Sequence, residues 1–343
     1  MSIHNIIMKN MNNDGRLPQG FSLETIGKDK KGEEIKYAAG MMDGTAIYHS
    51  VNLLNPGDPN KAANEIAILL IKYFEDNDKR HTKEIEDILA KNSTISIVDG
   101  LAEIMWETLM NIDNPDEWTN TANLWTDATL DLITKSESMD FVKIGITMLG
   151  VVGFDCFDRS AEILFNMAAY DGLTVYALSA FSRLVNVCSR LNPEQPIKYN
   201  EIVFEIAQRV DGWGRVHAAE RLEPETDEIR RWLLTRCCTD GFLSMYLALN
   251  CAEKADMISV LKQETVDDEL FQGITAIFEG LIEADMVPGG GLNSYEQGKE
   301  ALKLYVRHAK DRPEHESDRV TDLLLALSAK EMQESEENDC GAH

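Results

Sequence analysis

From Asn60 onward, apolar residues recur at helical spacing along almost the whole chain. Ile66, Leu69, Leu70 and Tyr73 share one face of a helix that Asn60 is placed to cap, and Ile85, Ile88 and Leu89 mark a shorter second helix. Asp99 reads as the cap of a helix carrying Leu101, Ile104, Met105 and Thr108. Leu124, Trp125, Ala128 and Leu132 stripe the next, and Phe141, Ile144, Met148 and Leu149 another. Further on, Leu270, Phe271, Ile274, Phe278 and Leu281 predict a long helix that Pro288 and the following glycines break. Asn293 with Glu296 reads as a capping box for a helix bearing Leu302, Tyr305, His308 and Ala309. Ser317 opens the last one, with Val320, Leu323, Leu324 and Leu327 inward.

The opening of the chain has a different rhythm. Phe21, Leu23 and Thr25, then Ile35 and Tyr37, alternate with polar residues around a Lys-Asp-Lys-Lys-Gly turn, which predicts a β-hairpin. A second turn at 40–44 and a short apolar run of Ile47, Tyr48 and Val51 follow before Pro56 and Pro59. Residues 1–59 are therefore expected to form a hairpin or irregular cap, residues 60–330 a helical domain, and residues 331–343 an acidic, disordered tail.

The middle of the chain repeats. A helix over 161–170, an Asp171-Gly172 turn and a longer helix over 173–190 are followed by a helix over 201–210, an Asp211-Gly212 turn and a helix over 215–222. The two turns lie about forty residues apart, and a third Asp-Gly pair occurs at Asp240 and Gly241. Two helices per unit at that period predict an all-α, HEAT-like repeat solenoid.

Residues 211–238 hold the densest chemistry. Gly212, Trp213 and Gly214 begin like a phosphate-cradling glycine turn, but that motif needs a preceding strand. Ile202, Val203, Ile206 and Val210 lie at helical spacing instead, so the glycines read as a tight interhelical turn. Thr226 is placed to cap a helix whose apolar stripe is Ile229, Trp232, Leu233 and Cys237. Arg230, Arg231 and Arg236 fall off that stripe among five nearby carboxylates, which favours salt bridging over a dedicated anion site.

Composition narrows the partners. With 59 acidic against 33 basic residues the net charge is −26, which disfavours nucleic acid and anionic lipid. The longest apolar run, 66–71, is far short of the roughly 20 residues of a spanning helix. The first residues lack a basic n-region and a long apolar h-region, so no signal peptide is read and a cytoplasmic location is expected. None of the six cysteines forms a CxxC pair, and reduced core thiols are expected.

Catalytic signatures are sparse. The seven histidines form no HxxxH, HExxH or Glu-x-x-His pattern, and no metal ligand is assigned. His308 with Glu314, His315 and Glu316 is the nearest cluster and reads as a solvated group. Glu228 and Arg231 match a haem-thiolate companion pattern without the required cysteine loop. Cys237 and Cys238 lie near His217 in sequence, with Cys237 on an apolar stripe. Trp106, Trp118, Trp125, Trp213 and Trp232 either pack the core or line an apolar pocket, for which a concave solenoid face is the place to look.

Residues 15–44, GRLPQGFSLETIGKDKKGEEIKYAAGMMDG, and residues 211–222, DGWGRVHAAERL, resemble a small bacterial family catalogued as limonene hydroxylases, and the likeness extends over most of the chain. The resemblance implies oxygen-dependent allylic hydroxylation of limonene with NAD(P)H as co-substrate, and further oxidation of the alcohols to products such as carvone. It supplies no catalytic motif, so catalytic and cofactor-binding residues stay unassigned, as does the oxygen-activating cofactor. Two expectations follow: a monooxygenase acting on an apolar monoterpene held among helices, or a non-catalytic HEAT-like scaffold binding a protein or peptide on its concave face.

Overall fold

At the centre of the first part of the chain lies a helix, Met139–Val152, in which every residue of 141–152 is buried. Its sequence, MDFVKIGITMLGVV, is apolar on all sides, and a helix of that kind is stable only when surrounded. The computed structural model describes residues 1–28, 34–49, 57–194, 197–239, 243–284, 291–310 and 312. The chain divides into two compact units, Met1–Ala218 and Ala219–His343. Among the described residues it is all-α apart from one short antiparallel pairing.

The elements of the first unit are α1 (Ile3–Asn10), β1 (Thr25–Lys28), β2 (Glu34–Lys36), α2 (Met41–His49), α3 (Pro59–Asp76), α4 (Lys79–Leu89), α5 (Thr94–Met110), α6 (Pro115–Lys135), α7 (Met139–Val152), α8 (Phe157–Ala168), α9 (Asp171–Leu191), α10 (Tyr199–Arg209) and the start of α11 (Gly212–Arg221). Alternate helices pack in succession: α3 on α5, α5 on α7, and α7 on α9. The intervening helices cover them, α4 against α3, α6 against α7 and α8 against α9. Ile66, Leu70, Ile97, Leu101, Met105, Trp125, Ile144 and Met148 form a continuous core across this stack. Each such side chain, fully removed from water, contributes about 1.5–3 kcal/mol before the entropy cost of ordering. Gly150 sets the spacing of α7 and α9, because a Cβ there would lie 2.7 Å from the Ala180 Cα.

A hairpin cap over the first 59 residues is not supported, because the described residues there hold helices beside a short ladder. The ladder is short, pairing Thr25 with Lys36, Gly27 with Ile35 and Lys28 with Glu34, with an irregularity between Thr25 and Gly27. Around it stand two helices that the alternation pattern concealed. α1 is capped by Ser2 and packs on α6 and α8 through buried Ile3 and Ile7. α2 begins directly after Gly40, where a turn was expected, and carries Asp43 into the core. Both are short, and tertiary burial rather than intrinsic propensity stabilises them.

Several helix starts differ from expectation by a few residues. Asp58, not Asn60, caps α3, with Pro59 at the first helical position, where its missing N–H costs nothing. α5 begins at Thr94, so Asp99 lies within the helix. Leu124 of α6 is exposed, while Trp125 and Leu132 are buried as expected. The Asp-Gly pairs at 171 and 211 are not free turns, since Asp171 and Gly212 are the first residues of α9 and α11.

The second unit contains the end of α11, α12 (Asp227–Thr235), α13 (Ser244–Lys254), α14 (Met257–Leu261), α15 (Asp268–Glu283) and α16 (Gly298–Ala309). α15 packs on α13 and α12, and α16 on α14. Thr226 caps α12 by accepting from the Ile229 N–H. The expected capping box at Asn293 is instead a short 3₁₀ turn, Leu292–Ser294, and α16 opens at Gly298. The Asp240-Gly241 pair, the helix predicted from Ser317 and the acidic tail lie outside the described residues.

Candidate functional site

Two features of the first unit concentrate functional side chains: a buried polar cluster and an open groove. Lys143 is the only charged residue on the buried stretch of α7, and it needs a counter-ion there. α2 delivers one. The Lys143 ammonium donates to Asp43 Oδ2 at 2.7 Å, and the Tyr176 hydroxyl of α9 donates to the same oxygen at 2.9 Å. The ammonium also lies 5.3 Å from the centre of the Tyr176 ring. Burial works against the lysine charge, yet Asp43, together with Asp140 and Glu24, holds its pKa above the usual value. Burial, with Asp43 beside it, pushes the Tyr176 hydroxyl well up.

Glu24 extends the cluster toward the ladder. Its Oε1 accepts from the Gly40 N–H at 2.9 Å and lies 3.4 Å from the Tyr170 hydroxyl, which in turn accepts from the Leu23 N–H at 3.0 Å. Burial raises the Glu24 carboxyl, with the Gly40 hydrogen bond opposing.

The glycine turn at 212–214 does cradle an anion-forming group, but an internal one. Asp171 accepts from the Asp211 N–H at 3.3 Å, and a Cβ on Gly212 or Gly214 would stand 2.7 Å and 2.6 Å from its carboxyl oxygens. Gly212 has φ +41°, which a side chain would resist. Burial drives the Asp171 carboxyl well above the usual carboxylate range, while the Asp211 N–H pulls the other way. The glycine-rich geometry seen in the sequence is thus occupied by a carboxyl from the start of α9.

Beside this turn Trp213, Tyr48 and His217 form a ring cluster, with centroids 5.6 Å apart for Tyr48–Trp213 and 6.1 Å for Tyr48–His217. A Cβ on Gly44 would lie 2.3 Å from the Trp213 ring, so α2 can approach only because that position is glycine. The two stretches that carry the family resemblance therefore meet: Glu24, Gly40, Asp43 and Gly44 from one, Asp211, Trp213, Gly214 and His217 from the other.

The groove lies across α5, α7 and α9 and has a volume of about 250 Å³. Ala102, Gly150, Val151 and Val187 form its floor, and Trp106, Glu103, Arg183, Asn186 and Arg190 its walls and rims. The close approach of α7 and α9 at Gly150 and Ala180 shapes that floor. Arg183 is held by Asp99 at 2.5 Å. Asp99, expected as a cap, instead pairs from within α5 with the groove residue Arg183.

The other candidates disperse. Arg230 pairs with Asp227, Arg231 with Asp267 and Glu269, and Arg236 with Glu269, all on a solvated face of the second unit. Cys237 is buried there, with the thiols of Cys237 and Cys238 hydrogen-bonded to that of Cys251; these contacts, followed by burial, raise the Cys251 pKa well above its ordinary value. Such thiols are poor nucleophiles. His308 is buried with Nε2 2.9 Å from the Leu261 carbonyl, and Glu314, His315 and Glu316 lie outside the described residues. Among the described residues no three of His, Cys, Asp and Glu converge as a metal-binding group. No helix among them is long and apolar enough to cross a membrane. Of the tryptophans, Trp125 and Trp213 are core, while Trp106 reaches the groove.

Sequence reasoning missed Asp43, Lys143, Glu24 and Asp171. A lysine inside an otherwise apolar helix was the available signal, since a buried cation demands a carboxylate somewhere. No family profile matches the chain, and neither a curated protein nor a solved structure does.

Proposed function

We propose that this chain is an α-helical repeat protein of HEAT-like type that binds a small apolar molecule, of monoterpene size, in the groove across α5, α7 and α9. The groove itself carries the proposal: an apolar floor, an indole wall and a few polar rim groups are the usual makings of a small-molecule site. Its volume of about 250 Å³ falls just below the roughly 300–1,000 Å³ of sites for drug-sized ligands, which suits a small one. The repeat arrangement is supported by the successive packing of α3, α5, α7 and α9, with α4, α6 and α8 covering them.

In its enzymatic form the proposal is limonene hydroxylation with NAD(P)H and oxygen. Its support is the family resemblance, together with the meeting of the two resembling stretches in one buried cluster. The non-enzymatic form is a scaffold binding a peptide, favoured by the open rim with Arg190, Asn186 and Trp106. Purified protein incubated with limonene, reduced nicotinamide and oxygen, beside an oxygen-free control, separates them. Oxygen-dependent carveol or perillyl alcohol supports the hydroxylase. Saturable limonene binding without product, lost in Trp106→Ala, leaves a binding protein. No binding at all removes the small-molecule proposal and leaves the peptide scaffold.

A further inference from the structure

We infer that the groove prefers an apolar ligand with an anionic head group, and that Arg190 receives the head. The inference rests on reading the groove as a small-molecule site. Arg183, Asn186, Val187 and Arg190 all line the groove, spaced along α9 so that they share one face. They give the groove a polar edge ending in a guanidinium. The two cations are not equivalent. Arg183 is neutralised by Asp99 of α5, 2.5 Å away. Arg190 is exposed and has no hydrogen bond or ion pair among the described residues.

Two turns beyond the Asp99–Arg183 pair, α5 presents Trp106 and α9 presents Arg190, and both line the groove. An apolar body lying over Ala102, Val151 and Val187 against the indole thus has a free cation within the same groove. A carboxylate meets a guanidinium with two parallel hydrogen bonds, a geometry that an alcohol cannot copy. Asn186, one turn before Arg190, adds an amide donor. Glu103 on the opposite rim repels an anion, so it fixes which end of the ligand faces α9. On a chain of net charge −26, an uncommitted arginine beside an apolar floor is a local exception to the field that repels anions elsewhere.

The test is a matched pair of probes, decanoate and decan-1-ol, titrated into the full-length protein by calorimetry. Wild type, Arg190→Gln and Glu103→Gln are compared, with far-ultraviolet circular dichroism confirming that each is folded. Decanoate is expected to bind roughly tenfold or more tighter than the alcohol. Arg190→Gln should abolish that difference by weakening decanoate, and Glu103→Gln should widen it. Equal binding of both probes to wild type would overturn the head-group inference and leave the groove standing as an apolar site. A preference for the acid that survives Arg190→Gln would overturn the assignment to Arg190. Binding of neither probe would remove the groove reading and this inference together.

Discussion

Lys143–Asp43 and Arg231–Asp267 are both cation–carboxylate contacts of hydrogen-bond length, 2.7 Å and 2.9 Å, and they do different work. The first is sealed inside unit one, shares its carboxylate with Tyr176 and ties α2 to α7 and α9. The second lies on the surface of unit two, where Arg231 also reaches Glu269. Hydrogen bonds to Asp267 and Glu269 raise the Arg231 pKa, but solvent screens the same contacts. Distance alone therefore says little about consequence. What a charge would face if its partner vanished decides it.

The largest expected effect breaks the buried side. Lys143→Ala leaves Asp43 charged and uncompensated, and should lower unfolding stability by about 3–5 kcal/mol in urea titrations. The double variant Asp43→Asn, Lys143→Met should recover most of that loss. A double variant as unstable as the single would show that the charges themselves, and not their mutual compensation, hold α2 in place.

Next comes the carboxyl cradle. Gly214→Ala places a Cβ 2.6 Å from Asp171 Oδ1 and 2.8 Å from the Thr174 hydroxyl, so about 1–3 kcal/mol of overpacking is expected. Thermal midpoints of wild type and variant measure it, and an unchanged midpoint would mean that the turn is loose.

Asp171 sharpens the comparison through pH. Its carboxyl sits well above the ordinary 3.8 because burial penalises the charge, so the folded state holds the proton more tightly than the unfolded one. Stability from that proton is full below the ordinary value and is lost as pH rises toward the folded one. Glu24 shifts in the same direction. Asp171→Asn should therefore flatten the fall in thermal midpoint as pH rises above the ordinary carboxylate range. A fall as steep as in wild type would place the titration elsewhere.

The smallest effect belongs to the surface. Arg231→Ala should cost at most about 1 kcal/mol, and raising the salt concentration should erase the difference. A larger, salt-resistant loss would mean that this face is covered by something that excludes water.

Much of the helical order was legible before any coordinates. Ile66 and Leu70, Phe271, Ile274 and Phe278, and Thr226 as a cap all stand where periodicity and capping chemistry put them. α1 and α2 were not legible, because each is a short helix stabilised by distant neighbours. Ile3 and Ile7 make sense only against α6 and α8, and Gly44 only against the Trp213 ring. The candidate groove was half legible: Trp106 was singled out, whereas Arg183 and Arg190 passed unremarked within the helix over 173–190.

By itself the sequence determined that this is an all-α protein, since apolar spacing repeats every turn and local capping chemistry is written in adjacent residues. It also marked the glycines at 212 and 214 as a tight turn between helices, though both lie in the first turn of α11. Tertiary structure alone decided what they approach, the Asp171 carboxyl, and which carboxylate answers Lys143. The physical reason is range. Helix formation is governed by residues within a turn of one another, while a buried charge selects its partner through space, from a segment about a hundred positions away in the chain.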